Sequence, residues 1–493
     1  MPFFNNHTHT MYSNIRLLDS TNRPEKLIDK AREMGMTGIA ITDHEALCSH
    51  VVVNKHVKKM REKYPDFTVA LGNEIYLVEE RGNGQKYYHF ILIAKDKVGY
   101  RALKELSSIA WVNSYYDRGL ERVPLLKQEL KKVMTDYKGH VIATTACIGG
   151  ELGQCILKMH EAEQTPGAEK IAQQLHSQIV SFIKFCIDVF GQEDFYLECA
   201  PSSYEEQVLV NKRILKISEA FGLKMCVGTD AHYLTKEDRF VHKSYLNSKG
   251  GEREVDAFYE FARLMEEDEV IELLKLAYDK DVVEWIFDCS EDMRKKIKFY
   301  DLELAQKIVE VPVKDYAKGF VPYTWQDIYP TLSNLIWSDN IQERYWVNEC
   351  INALHEKGLF EDSRYLERLE EEARVKKIIG EKLGTCMFAY PNTLKHYIDL
   401  FWDCGSIVGA GRGSACAGLN HYLLGITQLD PIEWDLPFWR YLNDERVELG
   451  DIDIDLAPSK IQKIFSAIRE ERGELGLVQV CTFGTEGTKS TIL

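Results

Sequence analysis

The sequence predicts an α/β protein in which a β/α barrel is followed by a helical segment and then by a smaller α+β domain. Three observations carry this reading. Over the first half, short apolar runs alternate with helical periodicity and end repeatedly in His, Asp, Glu or Cys, and chemistry gathered at strand carboxyl ends marks a β/α barrel. From about Asp256 to Leu400, apolar residues recur instead every three or four positions, the spacing of helices. Between Val408 and Leu456 a glycine-rich run and a row of alternating aspartates take over.

The barrel elements can be placed in order. Pro24 to Met34 reads as a helix, with proline in its first turn, Leu27, Ile28, Ala31 and Met34 on one face, and Gly35 closing it. Strands follow at Gly38–Thr42, ending in Asp43-His44, and at Phe67–Leu71, running into Gly72-Asn73-Glu74. Tyr87–Ala94 carries His89, Val141–Thr145 leads to Cys147, and Phe195–Cys199 and Met225–Val227 follow, the last delivering Asp230-Ala231-His232. Ahead of them all, His7-Thr8-His9 after Phe3-Phe4 puts two imidazoles on one side of a strand end, an arrangement suited to metal ligation. In the helical middle, helices are expected at Phe258–Met265, Val270–Tyr278 and Ile341–Leu354, with Trp285, Trp325, Trp337 and Trp346 as core anchors.

The last stretch reads as a nucleotide site. Gly409, Gly411 and Gly413 leave the backbone bare around Arg412 and Ser414, so amides, a hydroxyl and a guanidinium can converge on phosphate oxygens. Asp451, Asp453 and Asp455 alternate with Ile452 and Ile454, and a strand would hold the three carboxylates on one face roughly 7 Å apart. With Arg440 and Arg446 between the two segments, cradle and arginines suit a triphosphate and the aspartates suit Mg²⁺. Pro458–Glu471 is then expected to be helical and Val478–Thr482 a strand.

Composition bounds the function. With 493 residues, 45% hydrophobic and 28% charged, the chain is long enough for two to four domains, and no apolar run approaches a membrane span. Lys+Arg 61 against Asp+Glu 77 gives −16, which argues against a surface that grips nucleic acid non-specifically. Twelve cysteines without a C-x-x-C pair point to reduced thiols in a cytoplasmic protein, and the start Met-Pro-Phe-Phe-Asn-Asn-His has no basic segment of a cleavable signal.

G-R-G-S-A, L-L-G-I-T-Q-L-D-P-I-E-W-D-L-P-F-W-R-Y-L-N-D-E-R, D-I-D-I-D and T-F-G-T (Thr482–Thr485) together resemble the palm of the bacterial DNA polymerase III α subunit, a family C polymerase. Two departures bear on the cradle: Gly450 stands where the family commonly has proline, and Ala417-Gly418-Leu419-Asn420-His421 replaces a smaller, apolar run. Residues 1–285, with H-T-H-T-x-Y-S, I-T-D-H, T-T-A-C-I-G-G-E and T-D-A-H-Y, resemble the polymerase-and-histidinol-phosphatase (PHP) domain, a distorted TIM-like barrel. Residues 286–400 would then be a helical lead-in and 401–493 a partial palm.

The resemblance implies metal ligands at His7, His9, Asp19, His44, Glu74, His89, Cys147, Asp230 and His232, with Asp43 orienting a ligand imidazole from behind. Such a set suits two or three ions, with Zn²⁺, Mn²⁺ and Fe²⁺ all open, and implies a phosphoesterase acting as a 3′→5′ exonuclease. In the palm it implies Asp451 and Asp453 as catalytic Mg²⁺ ligands and Gly411, Arg412, Gly413, Ser414 and Arg446 at the nucleotide. Implied partners are primer–template DNA, dNTPs, replisome components and the rest of the polymerase, since the third aspartate and the fingers lie beyond Leu493 in the family. A stand-alone phosphoesterase and a non-catalytic, metal-stabilised scaffold are the alternatives.

Overall fold

Side-chain alternation along the strands sorts the first half of the chain into two faces. Along Gly38–Ile41, Ile39 and Ile41 pack outward against helices while Ala40 points into a barrel interior shared with Phe4, Ala70, Ile91, Ile93, Ile142, Tyr196 and Cys226. The period of two thus separates an inner core, made of alanines, isoleucines and Cys226 with Phe4 and Tyr196, from a larger outer core under the helices. The computed structural model describes residues 2–15, 18–117, 119–248, 256–302, 307–480 and 482.

The strands are β1 (Phe4–Asn5), β2 (Gly38–Ile41), β3 (Thr68–Val78), β4 (Tyr88–Ala94), β5 (Tyr115–Asp117), β6 (Leu120–Arg122), β7 (Pro124–Leu126), β8 (Val141–Thr144), β9 (Phe195–Cys199) and β10 (Met225–Val227). The main sheet runs β1-β2-β3-β4-β8-β9-β10, with β7 added to β3 and β5-β6 forming a separate hairpin. All its pairings are parallel except that β4 runs against both β3 and β8. A single bridge between Thr8 and Ala231, supported by His9 N–H donating to Ala231 O at 3.0 Å, joins the first and last strands and closes the barrel. The expected TIM-like α/β barrel is present.

Several boundaries differ from expectation for physical reasons. The strand expected to stop at Leu71 continues to Val78, because Gly72 is there for space rather than for a turn: a Cβ on it would meet Leu92 O at 2.7 Å. The helix expected at Phe258–Met265 lasts only from Asp256 to Tyr259, since the chain beyond it pairs with the segment after β10, His232 N–H donating to Ala262 O at 2.8 Å. The next helix is Glu267–Leu274.

The chain divides into two units, Met1–Glu303 and Leu304–Leu493. A boundary at 285 would cut the helix Lys280–Lys295, which packs Val283, Ile286 and Phe287 into the outer core and sets Met293 in the barrel interior. The second unit is helical, built on Ile341–Glu356, Ser363–Leu383 and Ala389–Asp403. Trp346 is its anchor, fully buried against Phe388 at 4.9 Å between ring centroids. Trp325 is partly buried at that core, whereas Trp285 and Trp337 are 39% and 51% exposed and anchor nothing.

The α+β character expected for residues 401–493 is reduced, among the described residues, to two bridges, Val408 with Leu456 and Arg412 with Asp453. Gly411 (φ +130°) and Gly413 (φ +68°) lie in the first segment, and their left-handed backbone interrupts a ladder. Val478–Val480 is irregular, and the T-F-G-T motif falls almost wholly outside the described residues. Pro458–Lys460 and Ile461–Arg472 are helical as expected.

Under the glycine-rich run, one helix supplies a polar support. Glu372, buried in Ser363–Leu383, accepts from Leu419 N–H (2.6 Å), Asn420 N–H (2.9 Å) and Asn420 Nδ2 (2.6 Å). One turn earlier on the same face, Arg368 donates to Ala417 O and Leu436 O. Replacing Glu372 by Ala leaves three buried donors and Lys376 without their carboxylate, and should lower the stability of the second unit by about 3 kcal/mol or more. A loss under about 1 kcal/mol in urea unfolding would contradict this support.

Two fully buried histidines set an acid limit. Burial, opposed in part by Asp43, brings His50 down to about 4, and burial with the charge of Lys376 brings His421 down to about 3. Both folded values lie below the ordinary His value of about 6.5, so the unfolded chain takes up protons first and stability falls as pH drops through 6.5 toward 4. An NMR titration in which either ring takes up its proton at or above pH 6.5 would rule out neutral burial of these rings.

Candidate metal centre and phosphate cradle

Strand ends on one side of the barrel deliver the first site. His7 and His9 follow β1, His44 follows β2, Cys147 follows β8, and Asp230 and His232 follow β10. Glu74 comes from within β3, and His89 from the start of β4, whose reversed direction brings its amino end to the same side. Asp19 arrives on the loop after β1. Just beyond three of these strands, Glu45, Ala146 and Asp230 hold positive φ (54°, 57° and 49°), a left-handed backbone costing non-glycine residues about 1–3 kcal/mol each.

All nine expected ligands meet. Donor atoms of eight of them, all but Asp19, form three overlapping groups, each within 4.8 Å: His7, His9, Glu74 and Asp230; His9, His44 and His232; and Glu74, His89 and Cys147. Glu74 Oε2 lies 3.5, 3.1 and 2.9 Å from nitrogens of His7, His9 and His44, and its Oε1 lies 2.5 Å from His89 Nδ1. Asp230 Oδ1 is 3.2 Å from His7 and 3.1 Å from His9. Asp19 Oδ2 bridges His44 (2.8 Å) and His232 (3.3 Å), and Tyr259 donates to its other oxygen at 2.7 Å. A cleft of about 310 Å³ opens onto the cluster between Gln154, Leu157, Tyr204, Glu206, Phe258 and Tyr259.

The donor set fits cations. His7 Nε2 and His9 Nε2 face each other at 3.0 Å, and both oxygens of Glu74, Asp230 Oδ1 and His44 Nδ1 are buried without an aligned hydrogen bond despite their close neighbours. Acceptor-type atoms crowded this closely without hydrogen bonds repel one another unless a cation sits among them. Burial lowers His7, but the Asp230 and Glu198 carboxylates more than reverse this and hold the ring well above its ordinary value. Burial, with Asp230 and Glu74 adding to it, pushes the Cys147 thiol well up, and a bound divalent ion is what removes such a proton.

Sequence reasoning missed Glu198, which lies 2.6 Å from His7 Nδ1. Its signal was a lone carboxylate in the otherwise apolar strand Phe195–Cys199. Asp43 reaches the cluster through an intermediary: it accepts from Ser13 Oγ at 2.8 Å, and Ser13 Oγ lies 3.1 Å from His9 Nδ1.

The second site lies in the second unit. Gly409 N–H donates to Asp455 O at 2.9 Å, and Gly413 opens a turn, Gly413–Ala417, in which Ser414 is exposed. A Cβ on Gly411 would meet Cys416 Sγ at 2.8 Å, so that position admits only glycine. Asp451, Asp453 and Asp455 are exposed while Ile452 and Ile454 pack inward, which is the expected alternation. Arg412 leans over this acidic face, 3.2 Å from Asp453 and 3.9 Å from Asp455. Arg446 pairs instead with Glu448 at 2.8 Å, and Gly450 holds φ +73°, which proline in its place could not adopt.

Both regions of the chain have counterparts among known proteins. Residues 5–202 match the PHP domain, and residues 332–493 match the bacterial DNA polymerase III alpha NTPase domain. The chain is 38% identical over 507 residues to the DNA-directed DNA polymerase of Bacillus phage SPbeta, covering 99% of this chain and 39% of that protein. It is 27% identical over 498 residues to the DNA polymerase III subunit alpha of Borreliella burgdorferi, covering 99% of this chain and 38% of that one. The chain thus spans under half the length of these relatives. With a PHP domain match followed by a polymerase III alpha NTPase domain match, and with relatives named DNA polymerase III subunit alpha aligned along nearly its whole length, the chain is similar to the DNA polymerase III alpha family.

Proposed function

We propose that this chain is the amino-terminal part of a cytoplasmic DNA-directed DNA polymerase, carrying a metal-dependent phosphodiester-cleaving centre in its barrel and the nucleotide-binding half of a polymerase site in its second unit. The observation that supports it most is the set of three overlapping donor groups around Glu74. In this reading the barrel holds two or three ions of Zn²⁺, Mn²⁺ or Fe²⁺ and acts as a 3′→5′ exonuclease. Bound there, such ions activate water and stabilise a leaving oxygen.

The chain's own residues do the rest. Glu74, whose two oxygens face different imidazoles, would serve neighbouring centres, His9 would give its Nε2 to one of them, and Asp19 and Asp230 balance charge beside the imidazoles. Partly exposed His89 faces the cleft, where a DNA 3′ end would enter, and Phe258 and Tyr259 offer apolar faces to a terminal nucleotide. In the second unit Asp451 and Asp453 take Mg²⁺, while Gly411, Arg412, Gly413 and Ser414 receive the phosphates of a dNTP, with Arg446 at the edge. Primer–template DNA, the remaining polymerase segment and other replisome components complete the assembly.

The purified chain should contain two or three transition-metal ions by elemental analysis, and His9→Ala or Asp230→Ala should remove most of them. A folded chain free of metal would sink the barrel reading. With Mn²⁺ or Zn²⁺ the wild-type chain should shorten single-stranded DNA from its 3′ end and His44→Ala should abolish this. Retained metal without cleavage of any phosphodiester would favour a structural centre.

In primer extension by a polymerase containing this chain, Asp451→Asn and Asp453→Asn should eliminate synthesis, because an amide holds Mg²⁺ far less well than a carboxylate. Arg412→Ala and Ser414→Ala should chiefly raise KM for dNTP. Full extension by Asp453→Asn would overturn the placement of the aspartates.

A further inference from the structure

We propose that Glu198 is a positioning residue of the barrel centre: it holds the proton of His7 on Nδ1 and so turns the Nε2 lone pair toward the ion site. The proposal rests on the reading of the cluster as a metal centre. His7 is gripped on its two edges by different groups. Its Nδ1 lies 2.6 Å from Glu198 Oε1, while its Nε2 faces His9 Nε2 (3.0 Å), Asp230 Oδ1 (3.2 Å) and Glu74 Oε2 (3.5 Å).

Which edge carries the proton follows from the surroundings of Glu198. Its Oε2 accepts from Asn6 Nδ2 at 2.8 Å and from Thr144 Oγ1 at 2.7 Å, so the carboxylate is fixed as an acceptor and Oε1 is turned to the ring. With Oε2 taken by two donors, Oε1 is the acceptor left for the ring, and Nδ1 is placed to donate to it. The backbone amide of Glu198 is itself held by Thr145 Oγ1 at 3.0 Å, and the side chain is 2% exposed.

A second, independent observation is the space made for it. Gly228, just after β10, would with a Cβ come within 2.4 Å of Glu198 Oε1 and 2.5 Å of its carboxyl carbon. Three elements of the barrel thus converge on one carboxylate: β8 supplies Thr144, the segment after β1 supplies Asn6, and the turn after β10 stays bare. A carboxylate behind a ligand imidazole fixes the ring and makes its free nitrogen more basic, and losing such a partner weakens metal binding about 10–100-fold.

Zn²⁺ affinity, measured by chelator competition on the full chain, tests this. Glu198→Gln should bind Zn²⁺ about 10–100-fold more weakly while the metal-stripped chain keeps the wild-type thermal midpoint. The amide can present its NH₂ to Nδ1 and so send the ring proton to Nε2, the wrong edge. Gly228→Ala, which moves the carboxylate without removing its charge, should weaken binding in the same direction. Because either variant can fold poorly, ¹⁵N-histidine NMR of the wild-type chain loaded with Zn²⁺ gives a reading without substitution: His7 should be protonated at Nδ1 and metal-bound through Nε2. Wild-type Zn²⁺ affinity in Glu198→Gln, or His7 bound through Nδ1, would overturn the role of Glu198. Failure of the wild-type chain to bind Zn²⁺ would instead overturn the metal centre itself.

Discussion

One buried carboxylate dictates the architecture of the first unit. Glu74 is fully buried, with both oxygens between imidazole nitrogens and neither in an aligned hydrogen bond. An ionised group so far from water needs compensating charge. Its pKa follows that need: burial raises it, but His89 and His44 outweigh burial and hold the carboxyl well below its ordinary range. Supplying four imidazoles to one point requires strand ends from around a barrel. It also requires one strand to enter backwards, since His89 reaches Glu74 only because β4 opposes β3.

The strained backbone belongs to the same constraint. Left-handed Ala146 and Asp230 sit beside the ligands Cys147 and Asp230 itself, where the chain turns sharply off a strand to present a donor. A relaxed turn would carry those side chains onto another face. The closing bridge between Thr8 and Ala231 lies between His7 and His9 on one strand and Asp230 and His232 on the other. Barrel closure and site assembly are therefore a single event.

Much of this was legible in the sequence, and what was not has identifiable causes. H-x-H, D-H and D-A-H at the ends of apolar runs expose both strand limits and ligands, because a buried parallel strand reads as an uninterrupted apolar segment. Gly72 misled because a glycine needed for close approach looks the same in sequence as one needed for a turn. Glu198 escaped because a single carboxylate inside a strand, still followed by Cys199 before the strand ends, carries no spacing signal. The acidic repeat 451–455 announced its alternation but not its pairing, which depends on a glycine-rich partner distant in sequence and poor at forming a ladder. Trp285 and Trp337 show the limit of residue type alone: two indoles of the same composition as Trp346 lie on the surface.

The helix Lys280–Lys295 bears on how this molecule can be divided. Its residues Ile286 and Phe287 are 0% and 1% exposed, and Met293 closes the inner core from below. Beyond it, Tyr300 O accepts from Asn54 Nδ2 at 3.2 Å, so the chain is still tied to the barrel wall there. A fragment ending at 285 would strip a plug from the barrel floor and bare an apolar stripe, the recipe for a sticky, aggregating product. One ending near 302 keeps the floor in place, and is the shortest piece in which the barrel chemistry can be isolated from the rest of the chain.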